Sequence, residues 1–153
     1  MLAGVQLSDR LKLEAIADGG FSYAEIPYEI IERNELPTYE KKDGDSRVLK
    51  VSGFSYPLAK LTPDKLYELL KNCRRYQGNY IVLDTMNCEA GILENVVEEC
   101  SMMIADYRIP IFLENGCNGN DEAGYLNGAY SDISSLKAVV EYCNRPVSYT
   151  HLR

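Results

Sequence analysis

Short apolar runs alternate with amphipathic stretches along the whole chain. Residues 2–7 (LAGVQL) form a short apolar run that predicts a strand. Ser8 then offers a helix N-cap, with Leu11, Ala15 and Ile16 on one helical face and Gly19-Gly20 to stop it. Residues 21–30 (FSYAEIPYEI) are rich in aromatic and β-forming side chains and predict a second strand. Residues 32–46 are polar and poorly periodic, which predicts a short helix or a long surface loop. Residues 47–56 (RVLKVSGFSY) predict a third strand running into a loop. Thr62-Pro63-Asp64 is a helix start: a hydroxyl N-cap, proline at the first helical position, and an acid near the positive end of the dipole. Leu66, Leu69, Leu70 and Cys73 then share a face, and Gly78 closes the unit.

The second half repeats the scheme. Residues 79–87 (NYIVLDTMN) are continuously apolar over Tyr80–Leu83, the pattern of a strand buried on both faces. Residues 91–107 are amphipathic, with Val96, Val97, Cys100, Met103, Ile104 and Tyr107 inward. Residues 109–115 (IPIFLEN) predict a fifth buried strand, and 116–130 form a long Gly/Asn loop. Ser131 or Asp132 caps a last helix, with Leu136, Val139, Val140 and Cys143 on one face. Strands alternating with helices predict an α/β fold with a parallel sheet and right-handed crossovers. A doubly wound open sheet and part of a (β/α)8 barrel both fit. The first carries no Gly-rich phosphate turn here, because Ser8-Asp9-Arg10 follows the first strand.

Composition narrows the function classes. The chain has 153 residues, is 46% hydrophobic and 25% charged, and carries a net charge of −7. This acidity gives no general attraction for phosphate backbones, so no nucleic-acid partner is expected. No apolar run approaches the ~20 residues of a membrane span, and no signal peptide is evident at the N-terminus. Five cysteines without a CxxC pair predict reduced, buried thiols and a cytoplasmic protein. The single histidine, His151, falls in Val147–Arg153, a string that resembles the translation of a transposon adapter used in sequencing libraries. Residues 146–153 are therefore expected to be an adapter-derived tail, not a domain.

In either architecture, functional groups gather at the C-terminal ends of the strands. That selects Gln6, Glu25, Ser52, Asp84, Glu114 and Asn115. Glu114 ends an apolar strand and meets a Gly-rich loop. A carboxylate there suits a divalent-ion ligand or an acceptor of a proton from a sugar carbon, and equally a solvated strand-end acid. Asp84 ends the most apolar strand, where it either reaches the site or caps the following turn. Ser52-Gly53 allows close backbone approach by a ligand, or forms an ordinary turn.

Residues 112–143, FLENGCNGNDEAGYLNGAYSDISSLKAVVEYC, resemble the fifth βα unit of the xylose-isomerase-like TIM-barrel superfamily. Leu113-Glu114-Asn115 carries the motif, and residues 19–27 (GGFSYAEIP) are similar to the family's second strand ending in Glu. The resemblance implies that residues 1–145 are the N-terminal part of a (β/α)8 barrel. About five βα units would lie in strand order 1-2-3-4-5. It further implies a sugar or sugar-phosphate isomerase or epimerase, or a related lyase. Glu114 would be metal ligand and catalytic carboxylate, with Glu25, Asp84 and Asn115 contacting a sugar or polyol. The implied cofactor is divalent Mn, Mg or Zn in the parent enzyme. The family's other core ligands come from strands six to eight, so the chain as given is expected to bind no metal, to be inactive, and to self-associate through open barrel edges. The third and fourth strands lack the histidines of the family's nuclease branch. That departure also fits a second reading, a non-catalytic small-molecule-binding relative without the metal site.

Overall fold

Five short strands pair in parallel. They are β1 (Gly4–Gln6), β2 (Tyr23–Pro27), β3 (Lys50–Pro57), β4 (Tyr80–Asp84) and β5 (Ile111–Glu114), hydrogen-bonded in the order β1-β2-β3-β4-β5. The computed structural model describes residues 4–6, 19–21, 23–33, 50–114 and 133–144. The helix expected after β1, most of the 32–46 segment, the 116–130 loop with Asn115, and the 147–153 tail lie outside the described residues. The described helices are α1 (Tyr28–Glu32), α2 (Pro63–Arg75), α3 (Ile92–Tyr107) and α4 (Ile133–Cys143), with a single 3-10 turn at Leu58–Lys60.

Sequential parallel strands joined by right-handed crossovers put every crossover on one face of the sheet. Burial follows that rule. Ala24 and Ile26 of β2, Val51, Phe54 and Tyr56 of β3, and Ile81 and Leu83 of β4 are buried together with Leu66, Leu69, Leu70 and Cys73 of α2. Tyr28 of α1 packs edge-on against Phe54 and Tyr56, with ring centroids 5.6 and 6.1 Å apart. Its hydroxyl accepts a 2.6 Å hydrogen bond from Asn72 Nδ2 of α2. Each large apolar side chain buried here contributes about 1.5–3 kcal/mol. The helical layer continues through α3, where Leu93, Val96 and Cys100 are buried, and α4, where Val139 is.

Local chemistry sets the helix ends. Thr62 Oγ1 accepts from Lys65 N at 3.2 Å, Pro63 occupies the first turn, and Arg74 and Arg75 occupy the last. Arg74 Nη2 reaches the end of α3 and donates to the carbonyls of Asp106 (3.3 Å) and Tyr107 (3.1 Å). Its guanidinium lies 4.1 Å from the Tyr107 ring centroid. A cation thus neutralises the negative end of α3 while joining it to α2.

Five expectations need correction. The strand over 21–30 ends at Pro27, and Tyr28–Glu32 is helical. Proline has no N–H to extend the ladder, and Tyr28 buries better by turning under Phe54. The strand over 79–87 stops at Asp84, because a turn begins there. β4 is buried on one face only: Ile81 and Leu83 are buried while Tyr80, Val82 and Asp84 are half-exposed. β5 is likewise not a buried strand, since Phe112 is 54% exposed. The reason is shared: among the described residues no element covers the face opposite the helices. On α4, Val139 is buried, but its neighbour Val140 is exposed.

Candidate functional site

The uncovered face of the sheet carries Glu25, Ser52, Asp84 and Glu114, and the strand register sorts the candidates among the described residues into two groups. Asp84 and Glu114 are register partners at the ends of β4 and β5. Partners in a parallel pair leave the sheet on the same face, with strands about 4.8 Å apart. Thr85, 1% exposed, fixes this rim. Its N–H and its Oγ1 both donate to the Glu114 carbonyl, at 3.3 and 2.8 Å. One Asp84 oxygen, Oδ1, accepts the N–H of Met86 at 2.8 Å. Asp84 therefore caps the turn after β4, where Asn87 takes a left-handed φ of 55°. The Glu114 side chain is exposed.

The second group lies in mid-sheet. Gln6, Glu25, Gly53 and Tyr80 form one row across β1 to β4. Tyr80 stands four residues before Asp84, about 13 Å back along the strand. Glu25 is thus separated from the Asp84–Glu114 rim along the strand direction. A bulge shapes this row. Ala24 pairs with Val51 and Glu25 with Gly53, so Ser52 is an extra residue in β3. Ser52 Oγ lies 3.2 Å from the Tyr80 hydroxyl, which places it on the open face. Gly53 seats the Tyr80 ring: a Cβ there would lie 2.5 Å from Tyr80 Cδ2 and Cε2 and 2.6 Å from its carbonyl oxygen. On its other side Tyr80 meets Phe112 edge-on, with centroids 5.7 Å apart.

The Tyr80 hydroxyl also bonds the Glu25 carboxylate. Burial pushes its pKa up; the hydrogen bond with Ser52 opposes this, and the charge and hydrogen bond of Glu25 reinforce it. An ionised carboxylate only accepts, and a phenol has one proton to donate. The direction is therefore fixed: Ser52 donates to Tyr80, and Tyr80 donates to Glu25. Ser52 and Glu25 were expected at the C-terminal ends of their strands, but Ser52 is the third residue of β3 and Glu25 the middle residue of β2; the structure joins them through Tyr80, which sequence reasoning missed. A signal existed in Gly53, since a glycine inside a strand marks a bulge or a close approach.

Other chemistry is weaker. Burial pushes the thiols of Cys73 and Cys88 up to about 11, which leaves both protonated at neutral pH. Among the described residues no group of three or more His, Cys, Asp or Glu side chains is arranged to hold a metal ion. Among them, too, no helix is long and apolar enough to cross a membrane. No family model matches the chain, and no curated protein and no solved structure matches it.

Proposed function

We propose that the chain is the N-terminal part of a xylose-isomerase-like (β/α)8 barrel from a sugar or polyol isomerase, epimerase or related lyase. The observation that carries this reading is the sequential parallel sheet with helices on one face and two carboxylates, Asp84 and Glu114, side by side at its C-terminal rim. In a closed barrel the uncovered face is the interior, and the C-terminal rim is the mouth where substrates bind. Glu114 acts as the base. Its carboxylate takes the proton from the carbon beside a substrate carbonyl and returns it to the carbonyl carbon. The hydroxyl proton moves to the carbonyl oxygen, and the net result is an aldose–ketose exchange. Asp84 uses its remaining oxygen to orient a substrate hydroxyl, with Asn115 as a further contact, while Glu25 stands apart from this rim in the mid-sheet row.

A divalent metal, when bound, would polarise the substrate oxygens. Asp84 and Glu114 offer two hard donors where such an ion takes about four to six ligands, and one Asp84 oxygen is already engaged by Met86. These residues do not make a complete metal site, and their own chemistry is that of carboxylates. The engaged Asp84 oxygen also favours the second reading, a binding module without the metal. Recovery of the genomic reading frame across position 146 tests both. Expression of the whole frame should give exchange of an aldose C–H proton into D2O, lost in Glu114→Gln. A frame without three further βα units ending in metal-ligating side chains would overturn the proposal.

A further inference from the structure

The uncovered face carries a built hydrogen-bond device that lies away from the rim. Three features shape it independently. The bulge turns the Ser52 hydroxyl onto this face. Gly53 leaves room for the Tyr80 ring against β3. Tyr80 then spans from Ser52 to Glu25, and Phe112, 54% exposed, stands beside it as an apolar surface. Aromatic surface next to a directed hydroxyl chain suits a ligand with alternating C–H and O–H groups.

The charge on this face then selects among such ligands. Among the described residues it bears three carboxylates, on Glu25, Asp84 and Glu114. By register Lys50 also lies on it, beside Tyr23 and two residues before Ser52, where it offsets one of these charges and leaves the face net negative. A phosphate ester carries about −1.5 to −2 charges at neutral pH and needs N–H donors or cations around it. The mid-sheet device ends in an acceptor carboxylate, so a phosphate there meets repulsion.

We infer that this face recognises an uncharged polyol or sugar through the Ser52–Tyr80–Glu25 chain and Phe112, and discriminates against the corresponding phosphate ester. The inference rests on the sugar-directed reading above and narrows its substrate class. A hydroxyl of the ligand donates to Glu25, and its C–H face lies on Phe112. Tyr80 holds the Glu25 carboxylate in place and is a positioning residue.

The test is binding of D-ribose and D-ribose 5-phosphate to the 153-residue chain, followed by heteronuclear NMR titration. Wild type should bind ribose at least about tenfold more tightly than ribose 5-phosphate, with shifts centred on Glu25, Ser52, Tyr80 and Phe112. Glu25→Gln should narrow the discrimination by about tenfold, and Tyr80→Phe should weaken ribose binding by a similar factor. Ser52→Ala, a surface change that leaves the core intact, should weaken it several-fold and covers the case in which Tyr80→Phe does not fold. Equal or tighter binding of the phosphate ester overturns the inference. Ribose binding that ignores all three variants but disappears in Glu114→Gln overturns it too, while leaving the sugar-directed reading standing. Failure of wild type to bind either compound overturns the inference, while the sugar-directed reading of the whole frame is decided separately by the D2O exchange assay.

Discussion

Replacing Gly53 with alanine tests whether β3 and β4 meet in the register that builds the site. The new Cβ would sit 2.5 Å from two ring carbons of Tyr80 and 2.6 Å from its carbonyl oxygen. Ordinary contact is about 3.5–4.0 Å, so each approach falls short by about 1 Å. The ring can swing away, but the carbonyl belongs to the start of β4 and cannot move without opening the β3–β4 ladder. Overpacking typically costs about 1–3 kcal/mol, and this case falls near 3 because backbone is involved. With a urea slope of about 2 kcal/mol per molar, the unfolding midpoint should fall by about 1.5 M. Tyr80→Ala in the same background removes the ring clash and should recover only part of the loss. A midpoint within about 0.2 M of wild type for Gly53→Ala would refute the reasoning, because the Tyr80 ring could not then lie on Gly53. Complete recovery by Tyr80→Ala would show that the ring alone was the obstacle and that the backbone register is looser than described.

Other expectations follow from the same contacts. Thr62→Ala should cost about 1 kcal/mol in urea unfolding by removing the cap of α2; an unchanged midpoint would contradict the cap. Cys73 and Cys88 have thiol pKa values raised from 9.0 to about 11 in the folded protein. A raised folded pKa gives stability that is complete below the unfolded value and lost as pH rises through the folded one. Stability should therefore be flat up to about pH 8.5–9 and fall towards pH 11, and Cys73→Ala/Cys88→Ala should show a shallower fall in pH-resolved urea titrations. Sedimentation analysis should find self-association of the chain, reduced by Phe112→Ser, since apolar surface on an open sheet face invites contact. A monodisperse wild-type monomer would contradict it.

Much of the fold was legible because its signals are local. Thr62-Pro63-Asp64 fixed the start of α2, and the spacing of Leu66, Leu69, Leu70 and Cys73 fixed its buried face. The alternation of strands and helices led to the parallel sheet. Tyr28–Glu32 was misread because aromatic and β-branched residues predict a strand, and only the packing of Tyr28 under Phe54 from β3 turns them into a helix. Apolar Tyr80–Leu83 predicted burial on both faces, but burial depends on what covers a strand, which its own residues do not encode. The site shows the same limit. Asp84 and Glu114 were legible as strand-end acids, whereas Glu25, expected at a strand end, stands in the middle of β2. Their division into a rim pair and a mid-sheet row depends on register, and that on a bulge at Ser52 that no local pattern announces.

The central claim is that Asp84 and Glu114 form one rim on the open face, incomplete as a metal site without further strands. The most direct test is titration of the isotopically labelled chain with Mn²⁺, reading paramagnetic broadening amide by amide. The account predicts weak binding, with a Kd of about 1 mM or higher. Broadening should centre on Asp84, Thr85, Met86 and Glu114 and be lost in Glu114→Gln. Tight one-to-one binding at the rim would show that the site is self-sufficient. Broadening centred elsewhere, or unchanged in Glu114→Gln, would show that the two carboxylates do not stand together.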